Sequence, residues 1–294
     1  MTSNAPSIRV SDGDSTVAGR DAAGSLDAQL TQERHEVKYL VPARDLQALV
    51  ALFDTSIRAH SYRGEGSNPL PFAQHFITTV YLDTPSRAHY RLALEDAEHN
   101  VKVRAREYYD VHPSLAELAT SGEQILHYQP WIWFEIKRRV DSRTLKRRAR
   151  VAKRDVPKLF PGAMDGESGP SSGNSHSGAL EAIAEYCQSL GEPLAPTCLA
   201  NCQRMSWQSA QDPLRVTLDL DVAFFAPTAD LWQRDQVLTR ETLGPQLGRT
   251  KEGVLELKYR GELPQWLVSA LEQRALKPGR HSKFALASKA VYGD

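Results

Sequence analysis

Five stretches of the chain alternate charged with apolar residues: 34–39, 101–106, 134–137, 215–219 and 255–260. Successive side chains of an extended strand point to opposite faces, so each stretch gathers its charges on one side and its hydrophobes on the other. The charged sides carry the bases Arg34, Lys38, Lys102, Arg104, Arg106, Lys137, Arg139, Arg215, Lys258 and Arg260. They carry fewer acids: Glu36, Glu135, Asp219, Asp221 and Glu256. The whole chain balances 36 Lys and Arg against 36 Asp and Glu, so this basic surplus is local. Arg forks match phosphate oxygens in pairs, and Lys adds point charge. Carboxylates are poor phosphate ligands and need another task. Holding a hard divalent cation, Mg²⁺ or Mn²⁺, through oxygens shared with phosphate is the natural one.

Local signals place these stretches in a run of strands. A first strand over 33–41 meets Pro42, a favoured first helical residue, and then Leu46, Leu49, Val50 and Phe53 at helical spacing. Residues 76–83, rich in Thr, Val and Tyr, read as a second strand, followed by a short helix over 86–95 and the basic strand over 102–109. A hairpin of 131–140 and 143–152 turns at Asp141-Ser142. A helix over 179–190 precedes strands at 197–209 and 214–224, and a last strand runs over 254–260. An amphipathic helix then carries Trp266, Leu267, Ala270 and Leu271, and Pro278-Gly279 breaks it. Ser282 is a good N-cap for a final helix. Residues 1–32 read as a disordered tail, 33–294 as one domain, and 161–178 as a flexible Gly/Ser/Pro-rich loop.

Two orientations satisfy the alternation. In an ordinary antiparallel sheet the charges face water and the hydrophobes face a core. A solvated face mixes Thr, Ser and Gln with both charges, however, whereas 102–106 places three bases in succession on one side. Facing bases repel unless something anionic lies between them. The expectation is therefore an α+β fold: an eight-stranded antiparallel closed β-barrel with a charged lumen, flanked by helices.

The ordered set of short motifs adds a resemblance. Glu36-x-Lys38-Tyr39, Thr79-x-Tyr81-Leu82-Asp83-Thr84, Lys102-x-Arg104-x-Arg106 and Glu135-Ile136-Lys137 come first. Arg204, Arg215-Val-Thr-Leu-Asp219, Glu256-Leu-Lys258-Tyr259 and Ser282-Lys283-Phe284 follow. Together they resemble the catalytic VTC (vacuolar transporter chaperone) domain of polyphosphate polymerases. That domain belongs to the triphosphate tunnel metalloenzymes, beside the CYTH phosphatases. The resemblance implies a tunnel that binds ATP by its triphosphate and passes the terminal phosphoryl to inorganic polyphosphate. It implies catalytic phosphate ligands at Lys38, Arg104, Arg106, Lys137, Arg204, Arg215, Lys258 and Lys283, and substrate contacts at Lys102, Tyr39 and Ser282. It also implies a metal carboxylate at Glu256, with Mn²⁺ or Mg²⁺ as cofactor. Glu36, Glu135 and Asp219 either touch metal or orient neighbouring bases. Departures from the CYTH pattern, Arg34 and Val254 where those relatives carry Glu, leave fewer carboxylates, weaker metal dependence and a less obvious base to activate water, which favours phosphoryl transfer over hydrolysis.

Composition narrows the alternatives. No run approaches the roughly 18 apolar residues of a membrane span. Three cysteines make no disulfide framework; this points to a reducing compartment, hence a cytoplasmic location, and Cys198 and Cys202 read as buried small hydrophobes. Nucleic acid is not an expected partner, and residues 146–150 read as a solvated basic strand. The rival readings are a tunnel-type triphosphatase and a non-catalytic module that binds polyphosphate or nucleotides.

Overall fold

The computed structural model of the protein describes residues 35–60, 74–95, 100–109, 131–140, 143–159, 181, 185–209, 213–233 and 238–293. The expected tail over 1–32 and loop over 161–178 lie outside these residues. Nine strands form one antiparallel sheet: β1 (His35–Val41), β2 (Gln74–Asp83), β3 (Val101–Tyr109), β4 (Trp131–Val140), β5 (Arg143–Ala152), β6 (Ala195–Gln208), β7 (Arg215–Phe225), β8 (Gln246–Arg249) and β9 (Gly253–Tyr259). Their order is β1-β9-β7-β6-β2-β3-β4-β5, with β8 paired to β7 outside this path. The helices that accompany them include α1 (Ala43–Ser56), α2 (Ala88–Glu95), α3 (Gln265–Gln273) and α4 (Lys283–Tyr292).

The expectation of a closed eight-stranded barrel is corrected here. Among the described residues the sheet is open, with nine strands, and its edges β1 and β5 do not pair with each other. What occupies the free edge of β1 explains this. The Gly279 amide donates to the Lys38 carbonyl at 2.9 Å, and Pro278 bridges to Tyr39. A loop carrying a proline, which has no amide to offer, thus covers the edge that closure would need. The ninth strand is the short β8, whose Gln-Leu-Gly-Arg has no alternation to announce it.

The sheet nevertheless curves, and its two faces separate as the alternation demands. On β3 the residues Val101, Val103, Ala105, Glu107 and Tyr109 are buried, while Lys102, Arg104, Arg106 and Tyr108 are half-buried on the other side. The apolar residues pack on the convex face. Over β1, β9, β7 and β6, α1 and α3 bring Leu49, Phe53, Leu267 and Leu271 against Trp207, Val216, Leu218, Leu255 and Leu257. Over β2 to β5, Val103, Ile132, Phe134, Ile136 and Val151 meet Val156, Leu194, Leu231 and Leu238. The helix periodicity was legible: Leu49 and Phe53 are the buried positions of α1. Helical residues at 185–189 lie within the helix expected over 179–190.

A third cluster closes one end of the concave face. There Phe284 and Ala287 of α4 and Tyr90 of α2 pack against Ile77, Tyr81, Cys198, Cys202 and Val254. The three cysteines are free and buried, Cys198 and Cys202 as the sequence suggested. Ser282 caps α4, its hydroxyl accepting from the Ala285 amide at 3.3 Å. No described helix is long and apolar enough to cross a membrane.

Trp207 ties the convex core to α1. Its ring lies 5.0 Å from Phe53, and Nε1 donates to Asp54 at 2.7 Å. Trp207→Ala is expected to cost about 3–5 kcal/mol, the usual penalty for emptying a buried aromatic site. Urea unfolding should show a lower midpoint with an unchanged slope; an unchanged midpoint would contradict this packing.

Candidate functional site

The concave face collects charges from seven strands and one helix. Lys38 on β1 lies 3.1 Å from Glu36 and 3.5 Å from Glu256, and Lys258 on β9 lies 2.6 Å from Glu256. Glu36 also meets Lys258 and, across the trough, Lys137 on β4, each at 3.7 Å. This last contact joins β1 to a strand near the opposite edge of the sheet, so curvature brings together what hydrogen bonding does not. On β4 the fully buried Glu135 is held by Arg104 at 2.8 Å, Lys146 at 3.1 Å and Arg148 at 3.3 Å. On β7 Asp219 accepts from Arg204 at 2.7 Å and from Lys283 at the first turn of α4.

Burial opposes ionisation at each carboxylate, and the surrounding bases overcome it. Against burial and repulsion from Glu256, the ammonium groups of Lys258, Lys38 and Lys137 bring Glu36 down to about 2. Burial is likewise outweighed at Glu256 by Lys258 and Lys38, at Glu135 by Arg104 and Arg106, and at Asp219 by Arg204 and Lys283. All four are held well below the usual carboxylate range. The lysines respond in opposite ways. Burial, together with Lys38, Lys137 and Arg104, pushes Lys102 down to about 7. Burial also takes Lys137 to about 8, with Lys258 and Arg104 outweighing the pull of Glu36. Lys38 is raised, because Glu256 and Glu36 overcome its burial.

Two of the expected bases meet hydroxyls rather than carboxylates at hydrogen-bonding distance. Lys102 donates to Ser282 at 3.5 Å, and Arg106 donates to Thr79 at 3.2 Å and to Tyr108 at 3.5 Å. Arg215 shares the face, in register with Lys258. The catalytic candidates Lys38, Arg104, Arg106, Lys137, Arg204, Arg215, Lys258 and Lys283 are thus brought onto one surface, joined by Lys102, Ser282, Glu36, Glu135 and Glu256. Tyr39 is not among them. It lies one residue out of phase, buried with the convex hydrophobes. Asp221 leaves the face as well. A bulge between Asn201 and Gln203 and a positive φ of 51° at Asp221 turn it toward Arg240 and Arg249.

Sequence reasoning missed Lys146 and Arg148, read as part of a solvated strand. The signal was present. Only two residues join β4 to β5, and Val140 stands opposite Arg143, therefore Lys137 opposite Lys146 and Glu135 opposite Arg148. It also missed His281, which burial and Lys283 push down to about 4.

A metal ion fits this donor set only in one way. Among the described residues no three His, Cys, Asp or Glu side chains form a cluster. Glu36 and Glu256, both ionised and sharing Lys38 and Lys258, are two carboxylates. That suffices for Mg²⁺ or Mn²⁺ completing its shell with phosphate oxygens and water, and is too few for an all-protein cage.

The sequence pattern of the VTC domain matches residues 33–292. The chain belongs to the VTC domain family. Among solved structures it is similar to a proposed adenylate cyclase of Bacillus halodurans, at 12% identity over 85% of this chain and 94% of that one, with a TM-score of 0.43. A second proposed adenylate cyclase, from Vibrio parahaemolyticus, is 13% identical over 87% and 98%, with a TM-score of 0.38. A Pyrococcus horikoshii protein is 10% identical over 86% and 97%, with a TM-score of 0.37. No curated protein matches the sequence.

Glu135 neutralises three bases at once. Glu135→Gln is expected to cost about 3–5 kcal/mol, as when one partner of a buried ion pair is removed. Because its folded-state pKa is depressed, the carboxylate's contribution is complete above the unfolded value of about 4.3 and fades as pH falls below it. The stability gap between wild type and variant should therefore narrow between about pH 5 and pH 2 in denaturant titrations. A gap independent of pH would show that the charge of Glu135 is not what stabilises the fold.

Proposed function

We propose that the protein is a metal-dependent polyphosphate polymerase that transfers the terminal phosphoryl of ATP to a growing inorganic polyphosphate chain. Membership of the VTC domain family supports a polyphosphate- or triphosphate-handling role. The observation that carries the reading is the concave face itself: bases on β1, β3, β4, β5, β6, β7, β9 and α4 converge on one trough, with each carboxylate already saturated by two or more of them. Such a surface holds a linear polyanion along its length. It is too basic for a cationic or neutral substrate.

Phosphoryl transfer through a loose transition state asks chiefly for positioning and for stabilisation of spread negative charge. Arg104, Arg106 and Arg204 present forks to non-bridging oxygens, and Lys38, Lys102, Lys137 and Lys258 add point charge. Lys283 sits in the first turn of α4, so the positive end of that helix reinforces it. Glu36 and Glu256 would hold Mg²⁺ or Mn²⁺ together with phosphate oxygens. When bound, that ion supplies Lewis-acid neutralisation of developing charge. The cysteines are no candidate nucleophiles: burial raises Cys198 to about 12 and Cys202 to about 11.

Purified protein given ATP and Mn²⁺ is expected to make chains resistant to nuclease and degraded by exopolyphosphatase. Release of orthophosphate alone would make it a triphosphatase, and binding without turnover a polyanion module. Arg106→Ala should lower kcat on the order of 10²–10³-fold, the scale of one lost transition-state donor, with an unchanged melting temperature. Wild-type synthesis by that variant would remove Arg106 from the site.

The depressed lysines give a second, independent expectation. A bound polyanion favours the charged forms of Lys102 and Lys137, which lose protons near pH 7 and pH 8 in the free protein. Binding of inorganic tripolyphosphate should therefore take up protons around pH 7–9 and weaken as pH rises through that range. Calorimetry in buffers of different ionisation enthalpy measures the uptake. Proton release, or none, would place the anion away from these two lysines.

A further inference from the structure

The concave side of β3, β4 and β5 changes character along its length. Cross-strand register defines its rows: Lys102 opposite Lys137 opposite Lys146, then Arg104 opposite Glu135 opposite Arg148, then Arg106 opposite Trp133 opposite Arg150. Trp131 follows two residues further out. The first row adjoins the capped end of α4, through the Lys102–Ser282 contact. The last two are aromatic. Four residues separate Lys137 from Trp133, about 14 Å along an extended strand. An extended nucleoside triphosphate bridges such a span.

At this outer end, flat cations lie over flat rings. The Arg148 guanidinium sits 3.7 Å from the centre of the Trp133 ring and 5.6 Å from that of Tyr108, while its Nε is 3.3 Å from Glu135. Held by a carboxylate on one side and a ring on another, Arg148 is fixed in place before any ligand arrives. Arg150 repeats the arrangement 5.0 Å over Trp131. Trp131 is not a core residue. It is 45% exposed, whereas Trp207 on the convex side is fully buried. A large exposed aromatic carrying an exposed guanidinium, at the end of a polyanion-binding trough, offers a stacking surface with room on it.

We propose that Trp131 and Arg150, braced by Trp133 and Arg148, form the stacking platform for the nucleobase of a nucleoside triphosphate whose phosphates lie on the Lys and Arg rows behind. This rests on the function proposed above and deepens it. The platform assigns the base end of the substrate to the β4–β5 end of the trough and the terminal phosphate to the α4 end. Bases stack on aromatic faces and on guanidinium planes without their edges being read. The platform therefore separates nucleotides from inorganic polyphosphates of equal charge.

Calorimetry with two probes tests this in the presence of Mn²⁺: an imido-bridged, non-hydrolysable ATP analogue and inorganic tripolyphosphate. Trp131→Ala is expected to weaken the nucleotide about 5–100-fold, the loss of one stacked base, and to leave tripolyphosphate within about twofold. Trp131→Phe should restore most of the nucleotide affinity. The exposed site predicts an unchanged melting temperature for both variants, so a folding defect is distinguishable by circular dichroism. Equal loss for both probes, or no loss for either, overturns the platform while leaving the polyanion site intact. If wild-type protein binds neither probe, the reading of function fails and the platform with it.

Discussion

Like charges crowd the concave face, and the fold must tolerate them before any substrate arrives. Lys137 stands between Lys102 and Lys146 on neighbouring strands, and Arg215 stands opposite Lys258. Two unit charges about 5 Å apart repel by about 3 kcal/mol at an effective dielectric of 20. Several such pairs would match the 5–15 kcal/mol by which a typical domain is stable. Four carboxylates resolve this, each placed among two or three bases. Their spacing explains why Glu36, Glu135, Asp219 and Glu256 recur between the bases rather than in a cluster. They are first the counter-ions of the fold, and a metal-binding role for Glu36 and Glu256 is built on that.

The same alternation that creates the problem fixes the register. A slip of one residue would move Lys102, Arg104 and Arg106 into the convex core and Val101, Val103 and Ala105 into the trough. Neither face could accept the exchange. Hydrophobic burial under α1 and α3 and charge pairing in the trough therefore select one alignment of each strand. Where the chain departs from strict alternation, it does so at bulges: between Tyr81 and Leu82, between Asn201 and Gln203, and between Phe224 and Phe225. Bulges bend strands and increase twist. They lie on β2, β6 and β7, the middle of the sheet, where bending brings the two edges toward each other.

Much of this was legible before any coordinates. Period-two alternation located most of the strands that carry the site and put Lys38, Lys102, Arg104, Arg106, Lys137, Arg215 and Lys258 on one side, because that signal depends only on backbone geometry; the side chains of Arg34 and Arg139 lie outside the described residues. The hairpin of β4 and β5 has its strand ends at the residues the sequence marked. Three features were not legible, each for a physical reason. Closure failed because the Pro278–Gly279 segment takes the edge of β1, a contact between residues some 240 positions apart that no local pattern encodes. Asp221 was placed with the charges because alternation was carried through a bulge. Lys146 and Arg148 were left in solvent because a dense basic run looks alike whether it faces water or carboxylate; only the register of the hairpin distinguishes the two.

The network also orders how a polyanion engages the trough. At most of the bases a phosphate oxygen competes with a carboxylate already in contact, and the net gain is the difference between two charge-assisted bonds. Lys102 and Arg106 are different. Their hydrogen bonds among the described residues are to the hydroxyls of Ser282, Thr79 and Tyr108, which yield to an anion at little cost. Lys102 stands beside α4, and Arg106 lies two rows further out on the same strand, opposite Trp133. These two contacts are consequently where a phosphate chain gains most on arrival.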